Sequence, residues 1–179
     1  MQATATPRWR TELIECFLLE QQHASEEYVG WLNDREVNRY LESRFTIQDL
    51  ASVRAFIETA LADERILFLG IRCPALGRHV GNIKLGPIDR RHGLGEVGIM
   101  IGDRQAWGRG IASAAIACIA DIAQHELGLR KLTAGCYASN KGSARAFEKA
   151  GFQVEGVRRD HFLLDGRPED LILKARMLR

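Results

Sequence analysis

The chain has no Cys-x-x-Cys pair: Cys16, Cys73, Cys118 and Cys136 stand far apart. That excludes a metal-knuckle spacing and a disulfide framework, and leaves reduced, cytosolic thiols as the simplest account. Long apolar runs are missing too. The longest, Ile111 to Ala120, is cut off by Asp121, and Glu15 interrupts the apolar residues near the start. The run is about half the length a bilayer crossing needs, so no membrane span and no secretion signal are expected, and the cytoplasm is the expected location. Charge of one sign is scarce: 25 Lys and Arg against 23 Asp and Glu leave a net charge of +2. This is too little for the basic field that grips a phosphate backbone, which disfavours nucleic acid as a partner. Arg90-Arg91-His92 and Arg158-Arg159 read as solvated loop or strand-edge charge. His23, His79, His92, His125 and His161 show no metal-ligand spacing, and no metal is expected. What is present is ordinary globular material, 179 residues with 46% hydrophobic and 27% charged side chains, enough for one core.

Residues 1–10 are polar, carry Pro7 and read as a loose N-terminal tail, followed by a single domain over residues 11–179. Leu13 to Leu19 is apolar enough for a first strand. From Ala24 to Tyr40, the residues Tyr28, Trp31, Leu32, Val37 and Tyr40 recur at helical spacing, but Gly30, Asn33 and Asp34 break the helix in two. Thr46 with Asp49 resembles a capping box for a helix whose face is Leu50, Val53, Phe56, Ile57, Ala60 and Leu61. Ile66 to Cys73 and His79 to Pro87 predict a hairpin around Pro74 to Gly77. Glu96 to Ile101 is the next strand, Asp103 to Gly110 a turn, and Ile111 to Leu127 a long helix stopped by Gly128. Lys131 to Tyr137 is a strand, Asn140 caps a short helix that stops at Gly151, and Gln153 to Leu163 and Leu171 to Met177 are joined around Asp165-Gly166. Antiparallel strands followed by one strand-helix-strand crossover imply an α+β fold with a mixed sheet.

The most informative stretch is Gln105-Ala106-Trp107-Gly108-Arg109-Gly110, between a strand and a long helix. Gly108 and Gly110 allow positive φ and close approach of main-chain N–H groups to a ligand, and the free donors of the first helical turn form an anion site. Arg104 and Arg109 add charge for a pyrophosphate or a 3′-phosphate, so a phosphorylated cofactor is the natural occupant. Gly93-Leu94-Gly95-Glu96-Val97-Gly98 formally matches a dinucleotide-binding fingerprint, but it leads into the strand alternation of Val97, Ile99 and Ile101 where that fingerprint must open a helix. No phosphate-loop lysine motif is present, which leaves kinase or nucleotide-hydrolase chemistry without support.

Gln105 to Gly110 matches the Gln/Arg-x-x-Gly-x-Gly/Ala loop of the GNAT superfamily of acetyl-CoA-dependent N-acetyltransferases at every fixed position. A second element, Asn140 to Phe152, resembles that superfamily's Asn-x-x-Ser/Ala…Tyr-Glu-Lys-x-Gly-Phe segment. Trp31-Leu32-Asn33-Asp34, Gly81-Asn82-Ile83 and Glu155-Gly156-Val157-Arg158 are similar to the Rim-type branch, which includes ribosomal-protein alanine acetyltransferases. The resemblance implies a mixed, mostly antiparallel sheet of about seven strands flanked by about four helices. In it the Glu96 and Lys131 strands lie parallel and splay apart to admit acetyl-CoA. It implies that main-chain groups of Met100 and Ile101 hold the pantetheine and that N–H groups from Trp107 through Gly108, Arg109, Gly110 and Ile111 to Ala112 wrap the pyrophosphate. Arg104, Gln105, Asn140, Ser143, Phe147 and Lys149 complete the expected cofactor set.

The implied reaction is direct attack of a primary amine on the thioester in a ternary complex. The amine is that of a protein N-terminus or, as the alternative, of an amino-sugar nucleotide or other small molecule; a non-catalytic acyl-CoA-binding module is the reading of another class. A homodimer is compatible with the branch. Glu96 accepts the amine proton if burial raises its pKa, or it is an exposed strand-end carboxylate. A main-chain N–H at Met100 or Ile101 serves the developing oxyanion. Phe147 stands where tyrosine is common and cannot donate a proton, so Ser143 is the substitute donor, or only a capping serine, with Tyr137 as fallback. No acid is required if the thiol, with a pKa of about 8.5, leaves as thiolate. On the acceptor side the candidates are Trp31, Tyr40, Arg44, Phe45, Glu96 and His161, of which Trp31 and Tyr40, at helical spacing, suit the core better than a binding role.

Overall fold

Apolar residues alternate in the strands and recur at helical spacing in the helices, so each element has a face to bury, and one sheet takes helices on both sides. The computed structural model describes residues 8–178. Strands β1 (Trp9–Arg10), β2 (Glu15–Leu18), β3 (Leu67–Cys73), β4 (Arg78–Leu85), β5 (Leu94–Ile101), β6 (Lys131–Tyr137), β7 (Gln153–Leu164) and β8 (Arg167–Met177) form a sheet of order β1-β2-β3-β4-β5-β6-β8-β7. Helices α1 (Glu26–Asn33), α2 (Arg35–Asn38), α3 (Leu50–Ala62), α4 (Ile111–His125) and α5 (Lys141–Lys149) flank it. All neighbouring pairs are antiparallel except β5 with β6, as the mixed-sheet expectation has it.

The eighth strand is β1, which pairs Trp9 with Cys16 and Arg10 with Glu15. The tail expected to be loose is therefore tied to the sheet edge from Arg8 onward; its first seven residues lie outside the described ones. The capping box also sits three residues later than the sequence suggested. Asp49 is the N-cap of α3: its carboxylate accepts from Ser52 N–H at 2.7 Å, while Ser52 Oγ accepts from Asp49 N–H at 2.9 Å. Thr46 Oγ1 accepts instead from Gln48 Nε2 at 2.7 Å. The break between α1 and α2 falls at Asp34, whose extended backbone ends one helix and whose carboxylate caps the next by accepting from Glu36 N–H at 2.8 Å.

Two cores result. On one face Ile116, Ile119 and Ala123 of α4 and Phe147 of α5 pack on Leu69, Ile83, Val97 and Leu132. On the other, Tyr28 and Trp31 of α1 and Val53 and Ile57 of α3 pack on Phe17 and Phe68. Among the described residues no helix is long and apolar enough to cross a membrane. The four cysteines are free and buried.

His79 of β4 is held beneath α1, its ring edge-on to Trp31 at 5.1 Å and to Phe17 at 5.3 Å. Its Nε2 lies 2.9 Å from the Gly81 carbonyl oxygen and 2.8 Å from Asn82 Oδ1; two acceptors at one ring nitrogen fix the proton there. Burial pushes its pKa from 6.5 down to about 4. The native state thus refuses a proton that the unfolded chain takes up below pH 6.5, so stability is lost as pH falls from 6.5 to 4. The loss is ~3 kcal/mol in all. Urea unfolding at pH 7 and pH 4.5 should show a smaller acid-induced loss for His79→Gln than for the native chain, and equal losses would refute the assignment.

Candidate active site

β5 and β6 run side by side for three rungs, Leu94 with Lys131, Gly95 with Leu132 and Glu96 with Thr133, and then part. Both strands continue, β5 to Ile101 and β6 to Tyr137, held from outside by β4 and β8. The fork is ~17 Å deep from Glu96 to Ile101 at 3.3 Å per residue. Its walls enclose a cleft of about 1110 Å³ lined by β5, β6, α4 and α5 on one side and by the α2 region and β7 on the other.

The main chain inside the fork follows from register. Glu96 C=O accepts from Gly86 N–H and Gly102 N–H donates to Val80 C=O, so even-numbered residues of β5 turn their polar groups to β4. Beyond the last shared rung, residues 99 and 101 therefore turn theirs into the gap. Met100, expected to hold the cofactor with its main chain, is spent on β4; it lines the cleft through its side chain. Ile99 takes its place beside Ile101. The Ile101 carbonyl is itself occupied, accepting from Trp107 Nε1 at 2.8 Å, which leaves its N–H.

At the mouth of the fork Gly108 (φ 73) and Gly110 (φ 79) turn the chain through left-handed conformations into α4. Gly110 is the N-cap and brings no side chain to its helix, so the N–H groups of Ile111, Ala112 and Ser113 have no intrahelical partner and face the cleft. The Trp107 N–H is not among the free donors, since it donates to Arg104 C=O at 3.2 Å. The arginines differ from expectation. Arg104 is tied to Glu36 and, at 3.8 Å, to Asp34, while Arg109 Nε donates to Gln105 C=O at 2.8 Å. Gln105 Oε1 accepts from Arg78 at 2.8 Å. None of the three lines the cleft; they hold the loop's shape. On the α5 wall the cationic lining comes instead from Arg145 and Lys149. Arg145 was missed as a site residue, although its i, i+4 spacing to Lys149 on a helix is readable from sequence.

α5 is capped by Asn140, whose Oδ1 accepts from Ser143 N–H at 3.1 Å. The capping is done by Asn140 and not by the Ser143 hydroxyl; both residues line the cleft. Phe147 belongs to the core, 2% exposed and edge-on to Phe152 at 5.0 Å, with one edge in the cleft wall.

Glu96, Gly98 and Met100 share the face of β5 opposite α4, with Thr133, Gly135 and Tyr137 on the same face of β6. Glu96 stands on the last shared rung. It is exposed to the cleft, so the burial expected to activate it is not found. Tyr137 is 4% exposed, stacks on Phe162 at 4.7 Å and donates from its hydroxyl to Glu42 Oε1 at 2.6 Å. Burial, with the Glu42 carboxylate beside it, pushes its pKa up. A phenol whose proton is given to a carboxylate is a poor leaving-group acid, and Tyr137 serves as a wall instead.

Of the expected acceptor residues, Tyr40 lines the cleft beside Tyr137, at 5.5 Å between rings. Trp31 is core, packed over Gly102. Arg44 is a strut, donating to Leu41 C=O at 2.8 Å and Leu163 C=O at 3.0 Å, and Phe45 is 70% exposed beneath it and outside the cleft. His161 is absent from the cleft lining. It lies in an irregular stretch of β7 between Arg158 and Phe162, where Asp160 takes φ 48, and its ring packs edge-on at 4.7 Å to Phe162, which lines the cleft with Arg158. That irregularity has no sequence signal. Among the described residues no group of three or more His, Cys, Asp or Glu could hold a metal ion.

A gap between parallel strands, with free main-chain donors along one wall and an uncapped helix N-terminus at its mouth, is a cradle for an extended, phosphate-bearing acyl carrier. Residues 18–153 match the model of the acetyltransferase (GNAT) domain, and the chain belongs to that family. It is an acetyl-CoA-dependent acetyltransferase acting on an amine. An uncharacterized N-acetyltransferase of Bacillus subtilis (strain 168), YoaA, is 29% identical over 166 residues, 92% of this chain and 93% of its own. Among solved structures, spermidine N-acetyltransferase from Vibrio cholerae with CoA and spermine aligns over 93% of this chain and 96% of its own, with a TM-score of 0.82 and 20% identity. The microcin C7 self-immunity acetyltransferase MccE with acetyl-CoA and AMP aligns over 94% of each chain, with a TM-score of 0.80 and 21% identity.

Gly110→Val places a branched side chain at φ 79 and over the free N–H groups. Titration calorimetry should show CoA affinity reduced at least about 10-fold while the variant stays folded by circular dichroism; unchanged affinity would reject the loop as the cofactor cradle.

Proposed function

We propose that the protein transfers the acetyl group of acetyl-CoA directly to the primary amine of a small molecule seated on the Glu96 face of the fork. The observation that carries this reading is the parting of β5 and β6 at Glu96, which puts a carboxylate and an open cofactor slot at one point. Bound in the slot, acetyl-CoA supplies an activated acyl group. Glu96 takes the proton of the attacking amine, directly or through water. The N–H groups of Ile99 and Ile101, turned into the gap, donate to the carbonyl oxygen as it gains negative charge. Ser143, in the first turn of α5, offers a hydroxyl to the departing sulfur, which as a thiol of pKa about 8.5 needs little help.

A small acceptor is favoured by the roof over this end of the cleft. Arg39 pairs with Asp165 at 3.2 Å and Arg44 donates to Leu163 C=O, so the segment after α2 is strapped to the tip of the β7–β8 hairpin, while Tyr137 ties it to the end of β6 by donating to Glu42. A protein N-terminal amine, which a Rim-type affiliation implies, would have to thread beneath those straps. Fold similarity favours no branch: RimJ of Mycobacterium smegmatis aligns with a TM-score of 0.79, beside 0.82 for the spermidine enzyme and 0.80 for MccE. The four unpaired cysteines agree with a reducing, cytoplasmic setting.

Thiol release from acetyl-CoA with a panel of small amines and N-terminal peptides tests the reading. Glu96→Gln should lower kcat about 10²-fold with CoA affinity unchanged, and Ser143→Ala should lower kcat by no more than about 10-fold. Undiminished turnover by Glu96→Gln, or turnover confined to peptides, would overturn it.

A further inference from the structure

Most charged groups of the acceptor side are spent on each other. Glu42 is engaged by Tyr137 and Arg44, Glu36 by Arg104, and Glu155 by Lys131. Lys84 and Glu96 are different. Both line the cleft, yet among the described residues neither belongs to an ion pair within 4.0 Å. Lys84 sits on β4 directly opposite Gly98 of β5, which makes Glu96 its diagonal neighbour on the same face. That places their Cα atoms roughly 7–8 Å apart, well within reach of two long side chains. Between them is a notch: a Cβ added at Gly98 would meet nothing within 4 Å. A cation and a carboxylate thus flank an open space one small group wide, directly over the fork.

Lys84 is half-buried, and a cation withdrawn from water is ordinarily compensated by an anion. Among the described residues no carboxylate lies within 4.0 Å of it. The cofactor's phosphates do not reach it either, because their cradle at α4 is on the opposite face of the sheet. The acceptor is what enters this notch, with its amine beside Glu96. We infer that Lys84 is a specificity-determining residue that binds an anionic oxygen, carboxylate or phosphate, carried by the acceptor a few bonds from its amine. The acceptor class is then a small zwitterion, such as a free amino acid or an amino-sugar phosphate, in preference to a polyamine. This rests on the acetyl-transfer reading above.

The test pairs each anionic acceptor with its neutral twin: free amino acids with their amides, and amino-sugar phosphates with the unphosphorylated amino sugars, with spermidine alongside. Thiol release should give a kcat/KM at least about 10-fold higher for the anionic member of one pair, and which pair responds identifies carboxylate or phosphate. Lys84→Met should abolish that preference by raising KM for the anionic acceptor about 10-fold or more, with kcat, the neutral twin and CoA affinity changed less than about twofold. Gly98→Val, which fills the notch at a position with room for a side chain, should raise KM for both members. Preference for spermidine or for the neutral twins, or an equal loss on both in Lys84→Met, would overturn the inference. Calorimetry of the same acceptors on CoA-loaded protein separates it from the reading it rests on. Anion-dependent binding lost in Lys84→Met without any turnover supports the Lys84 site and sinks acetyl transfer, whereas turnover indifferent to Lys84 does the reverse.

Discussion

The organising constraint is the interruption of one hydrogen-bonded ladder. After Glu96 and Thr133 the facing edges of β5 and β6 lose each other, although both strands run on, and the main-chain groups of residues 99 and 101 on that edge are left inside the fold without a strand to pair with. Unpaired main-chain groups are costly to bury, so such a gap persists only where it stays open to water or to a ligand that restores the pairing. The outer edges of the two strands keep their full ladders with β4 and β8, which holds the walls apart and rigid. The Trp107 indole closes one carbonyl, that of Ile101, and ties the glycine loop to the end of the fork. The cofactor cradle and the strand gap are therefore one construction, and α4 begins where the gap opens.

Charge is distributed to match. The loop arginines Arg104 and Arg109 shape the turn by bonding to α2 and to Gln105, while on the α5 wall the cleft is lined by the cations Arg145 and Lys149. On the other side of the sheet the carboxylates of Glu36, Glu42 and Glu155 are neutralised by partners within the chain. Among the described residues this leaves Glu96 as a carboxylate, and Lys84 and Arg158 as cations, that line the cleft without an ion-pair partner. The roof between the α2 region and the β7–β8 hairpin confines the acceptor to that neighbourhood. The chemistry proposed for the fork, and the selection proposed for the notch over Gly98, both rest on which charges the fold leaves unpaired.

Local signals account for much of what the chain does. The helices α3 and α4, the Asn140 cap, the hairpin around Pro74 to Gly77 and the glycine turn at Gly108 and Gly110 are all consequences of residue type at short range, and the structure has each of them, although of the face expected for α3 Val53, Ile57 and Ala60 are buried while Phe56 and Leu61 are exposed. The anion site follows from the same local rules, since an uncapped helix preceded by left-handed glycines leaves its first N–H groups free wherever it sits. Short-range reasoning loses its hold where pairing partners matter. The role given to Met100 passes to Ile99 because the parity of β5 is set by Gly86 and Val80 on β4, and the place given to His161 passes to Phe162 because β7 loses its register between Arg158 and Phe162.

By itself, then, the amino-acid sequence determined the elements, their caps and the phosphate-binding turn, because those depend on neighbours within a few positions along the chain. Only tertiary structure decided which main-chain groups face the gap, that Arg104, Arg44 and Trp31 are bound up in packing, and that Lys84 and Glu96 stand unpaired across an empty glycine. Those outcomes turn on strand register and on the competition of distant side chains for the same counter-charges, quantities that come into being only when the sheet assembles.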